Sequence, residues 1–152
     1  MRAGISCCFL MCGLISTFVG CGDAVDPNRP KTFPAGGQVT HKGQPVEGAI
    51  VMFVGANTGA RGSIGKTDAA GNFSLTTFDA GDGALPGPYR ITISKTIVEE
   101  VPERPAATPG AEPINSVSKE MLPTKYKDPS TSGLLAEITD GGENQFVFDL
   151  TD

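Results

Sequence analysis

The sequence contains little of the chemistry that most enzymes and nucleic-acid-binding proteins need. Tryptophan is absent, histidine occurs once, and aromatic residues make up 7% of the 152 residues. Basic residues number 12 against 17 acidic ones, which gives a formal net charge of −5. Because nucleic acid is bound through a basic stripe, this balance argues against a nucleic-acid partner. The length is that of one domain.

Cysteine is absent after position 21. The four cysteines are Cys7, Cys8, Cys12 and Cys21. If residues 1–20 are removed as a leader, a single thiol remains, so neither a disulfide nor a four-cysteine metal site is expected in the mature chain. A lone cysteine in an exported protein requires an explanation, and a lipid attached to its sulfur is one.

Charged residues are also absent from the first apolar run, Ile5 to Val19, which follows Arg2. Such a run is too short to cross a bilayer comfortably, and it matches the hydrophobic region of a secretory signal peptide. The alternative is a buried helix, which Gly4 and Gly13 would weaken. We therefore expect residues 1–20 to be a signal peptide.

The segment Phe18-Val19-Gly20-Cys21 resembles the bacterial lipobox, with Phe18 standing where leucine is usual. The resemblance implies cleavage after Gly20 and attachment of diacylglycerol, and then of a further acyl chain such as palmitate, at Cys21. Two or three acyl chains anchor a protein stably, whereas one is marginal. Cleavage without lipidation is the alternative.

Regular structure is not expected in residues 21–34, a polar segment with three prolines. We interpret this segment as a flexible tether that contributes nothing to the core and precedes a domain at 35–152. Loss of Arg2 with the leader would make the domain still more acidic. An acidic module is repelled by anionic lipid, so the acyl chains are expected to be its only link to the membrane.

No segment after Ala35 shows a helical period, whereas apolar and polar residues alternate in short runs between turn residues. This pattern predicts an all-β fold, a seven-stranded antiparallel β-sandwich. A Pro/Glu-rich insertion at about 96–133 precedes the last two strands, and residues 99–113 are expected to form a mobile loop. Leu122 and Tyr126 are expected to pin residues 122–134 to the sandwich. The predicted strands are 35–41, 49–54, 63–67, 72–77, 89–95, 134–139 and 145–150.

The inward positions of these strands predict the core. A second apolar stripe, Ile50, Met52 and Val54, lies on the opposite face of the second strand. It has two interpretations, namely that the insertion folds over it or that a partner docks there. The predicted core residues are Val39, Ala49, Val51, Phe53, Phe73, Leu75, Tyr89, Ile91, Ile93, Leu134, Ile138, Phe146, Phe148 and Leu150.

Strand and turn residues alternate in Gly37-Gln38-Val39-Thr40, 43–53, Thr67-Asp68-Ala69-Ala70-Gly71-Asn72-Phe73-Ser74-Leu75 and Pro86-Gly87-Pro88-Tyr89-Arg90-Ile91-Thr92-Ile93. In this order, these segments resemble carboxypeptidase regulatory-like, or transthyretin-like, domains. The closing segments, 125–134 and 144–150, are similar to those of small lipoproteins abundant in planctomycete bacteria. The resemblance covers 35–152 and implies a Greek-key, prealbumin-like sandwich. It does not imply peptidase activity, since that family's catalytic partner is absent.

Catalytic constellations are missing from the sequence. Zinc hydrolysis and a Ser-His-Asp triad would both have to use His41, which we interpret as an exposed turn residue. No Gly-x-Ser-x-Gly elbow occurs. The ending Asp149-Leu150-Thr151-Asp152 differs from the tetrapeptide of transthyretin-like hydroxyisourate hydrolases. We expect no enzymatic activity and no cofactor.

One loop, residues 78–84, carries the best candidates for a bound ion. Asp79 and Asp82 lie among glycines, and their oxygens could hold Ca²⁺. Their spacing is not that of an EF-hand, and aspartates in loops more often cap their own backbone. Calcium is therefore a weak alternative to a turn-forming role.

Together these features predict a non-enzymatic, lipid-anchored module of the cell envelope, on the outer membrane or a periplasmic face. Its role would be structural, or the binding of an envelope protein. The alternative is a carbohydrate-binding sandwich, which the missing tryptophan and the presence of only Tyr89 and Tyr126 disfavour.

Overall fold

The computed structural model describes residues 28–57, 61–104 and 114–152, with the backbone alone for 101–104 and 114–115. The predicted signal peptide, its cleavage site at Gly20 and the lipidation site at Cys21 lie outside the described residues. The described part is mostly β, with one 3-10 turn, Thr124–Lys127, and no α-helix. The strands are β1 Ala35–His41, β2 Gln44–Pro45, β3 Ile50–Gly55, β4 Ser63–Lys66, β5 Asn72–Ser74, β6 Gly87–Ser94, β7 Thr96–Arg104, β8 Ile114–Glu120, β9 Leu134–Ile138 and β10 Asn144–Leu150.

The strands form two four-stranded sheets and one hairpin. In the first sheet, called the terminal sheet, β10, β1 and β2 lie in that order and β5 also pairs with β1. In the second, called the central sheet, the order is β4-β3-β6-β9. Ring contacts between Phe53 on β3 and Phe148 on β10 join the two sheets across the core. This arrangement is consistent with the predicted sandwich.

The first and last strands pair in parallel, from Ala35 opposite Asn144 to His41 opposite Leu150. The expectation of a wholly antiparallel fold is therefore wrong for this pair. Parallel strands need a long crossover connection, and here the rest of the domain supplies it.

Two glycines allow β1 to lie close to β10 and to β5. A Cβ on Gly37 would stand 1.9 Å from the carbonyl oxygen of Phe146 on β10, and one on Gly36 would stand 2.4 Å from that of Phe73 on β5. Both positions are closed to larger residues because the obstacles are backbone atoms.

The insertion contains the largest departure from the predicted strands. β7 and β8 pair antiparallel from Thr96 opposite Glu120 to Glu100 opposite Ser116, with a register shift before Arg104. The expectation of a mobile loop is wrong for 99–104, and 105–113 lie outside the described residues. Proline is tolerated where a ladder N–H is not needed, and Pro102 falls in the irregular part of the pairing. With β2, this hairpin gives ten strands among the described residues, against the predicted seven.

The core lies between the two sheets, with Phe53 1% exposed. Its ring centroid lies 5.5–6.3 Å from those of four other aromatic residues. The predicted core is confirmed except that Leu134 and Phe146 are only partly buried and pack against it. The buried residues absent from that prediction include Phe33, Ala35, Val46 and Ala84.

The predicted pinning of residues 122–134 is confirmed. Leu122 and Tyr126 are both 6% exposed and belong to the core. The Tyr126 hydroxyl donates to the carbonyl oxygen of Thr151 at 3.1 Å and accepts from the Thr151 N–H at 3.0 Å. The 3-10 turn thereby holds the end of the chain after β10.

Candidate functional site

Residues 28–34, called the strap, are bound to the body of the domain. The Phe33 N–H donates to the Ala84 carbonyl oxygen at 2.8 Å, and the Ala84 N–H donates back at 3.0 Å. Phe33 is 9% exposed and belongs to the core. The prediction that residues 21–34 form a tether without core contribution is therefore wrong for the strap. The strap contacts the loop 76–84.

Asp82 holds that loop and the strap together. Its carboxylate accepts from the backbone N–H groups of Thr77 at 2.8 Å and Phe78 at 3.1 Å, and from the Arg29 guanidinium at 2.9 Å. Burial raises the pKa of Asp82, but the backbone hydrogen bonds and the charge of Arg29 outweigh it, so the pKa lies below its ordinary value. An ionised Asp82 is thus built into the attachment of the strap.

The two weak calcium candidates both contact Arg29. The other terminal guanidinium nitrogen of Arg29, Nη1, lies 2.5 Å from the Asp79 carboxylate. The guanidinium thus bridges the two carboxylates that the calcium hypothesis requires as ligands. Among the described residues, no group of three His, Cys, Asp or Glu side chains is spaced to hold a metal. The geometry is that of the turn-forming role, in which Asp82 caps backbone N–H groups of its own loop, and both aspartates also pair with Arg29 of the strap.

Phe78 joins the strap to the central sheet. The Arg29 guanidinium carbon lies 4.3 Å from the centroid of its ring, and that of Arg61 lies 4.6 Å from the same centroid. Such cation–π contacts contribute modest attraction at exposed sites. They place two positive charges beside the end of β4.

Arg61 also borders an apolar groove of about 450 Å³. Met52, Val54 and Ile64 line it, with Thr76 on its polar side. Met52 is 45% exposed and Ile64 46% exposed. The expectation that the insertion covers the Ile50, Met52 and Val54 stripe is therefore wrong at Met52.

The groove is one end of a larger surface, the outer face of the central sheet. Strand register places Ile64 opposite Met52, and Arg90 between Val54 and Leu135. Leu135 is 73% exposed. The paired outward positions are Ile50, Met52, Val54, Ile64, Lys66, Pro88, Arg90, Thr92, Ser94, Leu135 and Glu137, of which Thr92 is buried and Ile50, Val54 and Ser94 are half-buried.

The outer face of the terminal sheet has a different composition. Gln38 lies between Asn72 and Val147, and Thr40 lies beside Asp149, to which its hydroxyl donates at 2.7 Å. Val147, at 75% exposed, is the apolar residue of this row. This face is polar and acidic, whereas the outer face of the central sheet presents apolar and basic residues together.

His41 is the last residue of β1 rather than a turn residue, and its side chain is 24% exposed. The prediction of an exposed turn position is thus wrong. Its Nε2 atom lies 3.1 Å from the Asp152 carboxylate, which Lys42 also contacts. Hydrogen bonds from Lys42 and His41 lower the pKa of Asp152. The group ties the chain end to β1.

The two tyrosines considered for sugar stacking are both buried. Tyr89 is 3% exposed and Tyr126 6% exposed. The Tyr89 hydroxyl donates to the carbonyl oxygen of Leu85 at 2.9 Å. Neither ring offers a face to a saccharide, which weakens the carbohydrate-binding alternative.

The β7–β8 hairpin carries exposed apolar side chains away from the core. Val98 is 67% exposed and Val117 is 49% exposed, on opposite faces of the hairpin. Lys119 pairs with Glu99 at 3.9 Å. The hairpin is therefore a second surface on which a protein could dock.

Comparison with known proteins gives no relative: no family model, no curated protein and no solved structure matches this chain. Within residues 28–57, 61–104 and 114–152, no helix has the length and apolar character needed to cross a membrane.

Proposed function

We propose that this chain is a lipid-anchored module of the cell envelope, attached through acyl chains on Cys21. It has no catalytic role and serves as a structural element or as a binding site for an envelope protein. It resides on the outer membrane or on a periplasmic face. Its fold is proposed to be the Greek-key, prealbumin-like sandwich of the carboxypeptidase regulatory-like domains, enlarged by the β7–β8 hairpin.

The docked strap is the observation that carries this proposal. In an anchored module, the segment that follows the anchor sets where the domain is attached, and residues 28–34 of that segment are fixed to the domain. The strap enters the core through Phe33 and is held by Arg29. This attachment supports a role in which the position of the domain relative to its anchor matters.

The test is an intact-mass and detergent-partition measurement on the full chain expressed with its own leader. We expect a mature protein that begins at Cys21, carries added acyl mass and enters the detergent phase. Cys21→Ser should abolish the acyl mass and the partitioning. Cys12→Ser, a matched change within the expected leader, should leave both unchanged. A wild-type chain that stays aqueous without acyl mass would contradict the anchor.

A further inference from the structure

The outer face of the central sheet has the chemistry of a membrane-surface contact. We propose that this face rests on the anionic lipid surface to which the acyl chains tether the domain. The inference rests on the proposed lipid anchor and goes beyond it, because it assigns a second, non-covalent contact with the bilayer and fixes which side of the domain faces the lipid.

The composition of the face supports a lipid partner. Met52, Ile64 and Leu135 are exposed large apolar side chains, and the basic Arg61 and Arg90 lie among them. Interfacial surfaces combine apolar side chains that enter the headgroup region with basic residues that attract anionic lipid. The terminal sheet, which faces the other way, lacks this combination.

The position of the strap supports the same orientation. Phe78 contacts Arg29 on the strap and Arg61 at the edge of the groove, so the strap lies beside the proposed lipid-facing surface. An extended chain advances about 3.3–3.6 Å per residue, so a tether of seven residues has a reach of at most about 25 Å. The tether is therefore short enough to bring this face to the bilayer.

This proposal replaces the expectation that the acyl chains are the only link to the membrane, which follows from the net charge of the whole chain, whereas the contact depends on the charges of one face. Electrostatic interactions at a surface are screened beyond about 8–10 Å at physiological ionic strength, so the charges nearest the lipid decide the sign. On the paired outward positions of the central sheet, Lys66 and Arg90 outnumber Glu137. Anchoring also raises the effective concentration of the face at the membrane, so weak contacts suffice.

A site-specific fluorescence experiment tests the orientation. With Cys21 acylated and the leader removed, Met52→Cys supplies the single free thiol, which is labelled with an environment-sensitive fluorophore. The lipidated protein is reconstituted in phosphatidylcholine vesicles with about 30% phosphatidylglycerol and spin-labelled lipid as quencher. The matched control is Val147→Cys, which places the label on the terminal sheet.

We expect spin-labelled lipid to quench the label at position 52 at least about three-fold more than the label at 147. Replacing Arg61 and Arg90 together by Gln, or omitting phosphatidylglycerol, should reduce the quenching at 52 by about half. The same double change at Lys119 and Lys125, away from the face, should leave it unchanged.

The outcomes separate this inference from the proposed function. Equal quenching at 52 and 147 in protein with verified acyl mass overturns the inference and leaves the anchor intact. Absence of acyl mass overturns the anchor, and the inference with it.

Discussion

The guanidinium of Arg29 lies 2.9 Å from the carboxylate of Asp82, across 53 positions of sequence. The carboxylate is already held by the Thr77 and Phe78 N–H groups. Arg29 therefore donates to a carboxylate whose orientation is already fixed by the loop that contains Asp82. A segment that composition describes as a tether becomes part of the folded domain through this pair.

Arg29→Gln should loosen the strap. It removes the charge-assisted hydrogen bond to Asp82 and the contact with Phe78, and we expect the free energy of unfolding in urea to fall by about 1–2 kcal/mol. Trypsin should cut after Lys31 faster in the variant. Arg90→Gln is the matched control, because Arg90 is exposed on the central sheet and its loss should change stability by less than about 0.5 kcal/mol. Equal effects at the two positions would contradict the attachment.

The stability of the domain should depend on the ionisation of Asp82. Its folded-state pKa is lowered, whereas an unfolded aspartate has a pKa of about 3.9. The contribution of ionised Asp82 to the free energy of unfolding is therefore fully present above about pH 3.9, the unfolded-state pKa. It is lost as the pH falls through the lowered folded-state pKa. The difference in unfolding free energy between wild type and Asp82→Asn should be largest near neutral pH and should shrink below about pH 4. A difference that is the same at both pH values would rule out this account.

Calcium should have little effect on the domain. Because Arg29 already contacts both Asp79 and Asp82, we expect millimolar calcium or EDTA to shift the melting temperature by less than about 1 °C. Differential scanning fluorimetry checks this, with magnesium as the ionic-strength control. A calcium-specific rise that Asp79→Asn abolishes would restore the calcium hypothesis.

Gly37→Ala should strain the terminal sheet. The added Cβ would meet the Phe146 carbonyl oxygen, which cannot move without disturbing the β1–β10 pairing. We expect a loss of about 1–3 kcal/mol in thermal or urea unfolding. Ser74→Ala, an exposed change on β5 of the same sheet, should cost less than about 0.5 kcal/mol. If both variants unfold alike, the close approach at Gly37 has been misjudged.

Phe53→Ala should be among the most damaging single changes in the core. Phe53 contacts four aromatic rings from both sheets, so truncation leaves a cavity that neither sheet can close alone. The expected loss is about 3–5 kcal/mol in urea unfolding. Val147→Ala, at a position 75% exposed, is the control and should be nearly neutral. A loss below about 1 kcal/mol for Phe53→Ala would contradict its central place.

The sequence predicted the strands and core of the two sheets well because alternation is local. The two-residue period at Tyr89, Ile91 and Ile93 is visible without knowing any partner strand, and all three residues are buried. The β7–β8 hairpin was not predicted, because the many prolines and glutamates of residues 96–113 indicate irregular structure when only composition is used. The pairing of Thr96 with Glu120 depends instead on a partner far along the chain.

The sequence predicted only part of the outer face of the central sheet. The stripe at Ile50, Met52 and Val54 is a sequence pattern, and both of its interpretations were open. Strand register alone brings Leu135 and Arg90 beside it, since β9 is separated from β3 by the whole insertion. The docking of the strap could not be predicted from the sequence, because a contact between one arginine and one aromatic ring leaves no periodic pattern in the sequence.

The parallel pairing of β1 with β10 has a consequence for the order of folding. β1 occupies the middle of the terminal sheet, yet β10, its longest partner, ends at Leu150. That sheet cannot close until almost the whole chain has been synthesised, and such distant pairings make folding slow. We therefore expect the chain to stay unfolded until β10 has been made, which is the state that the proposed export would require.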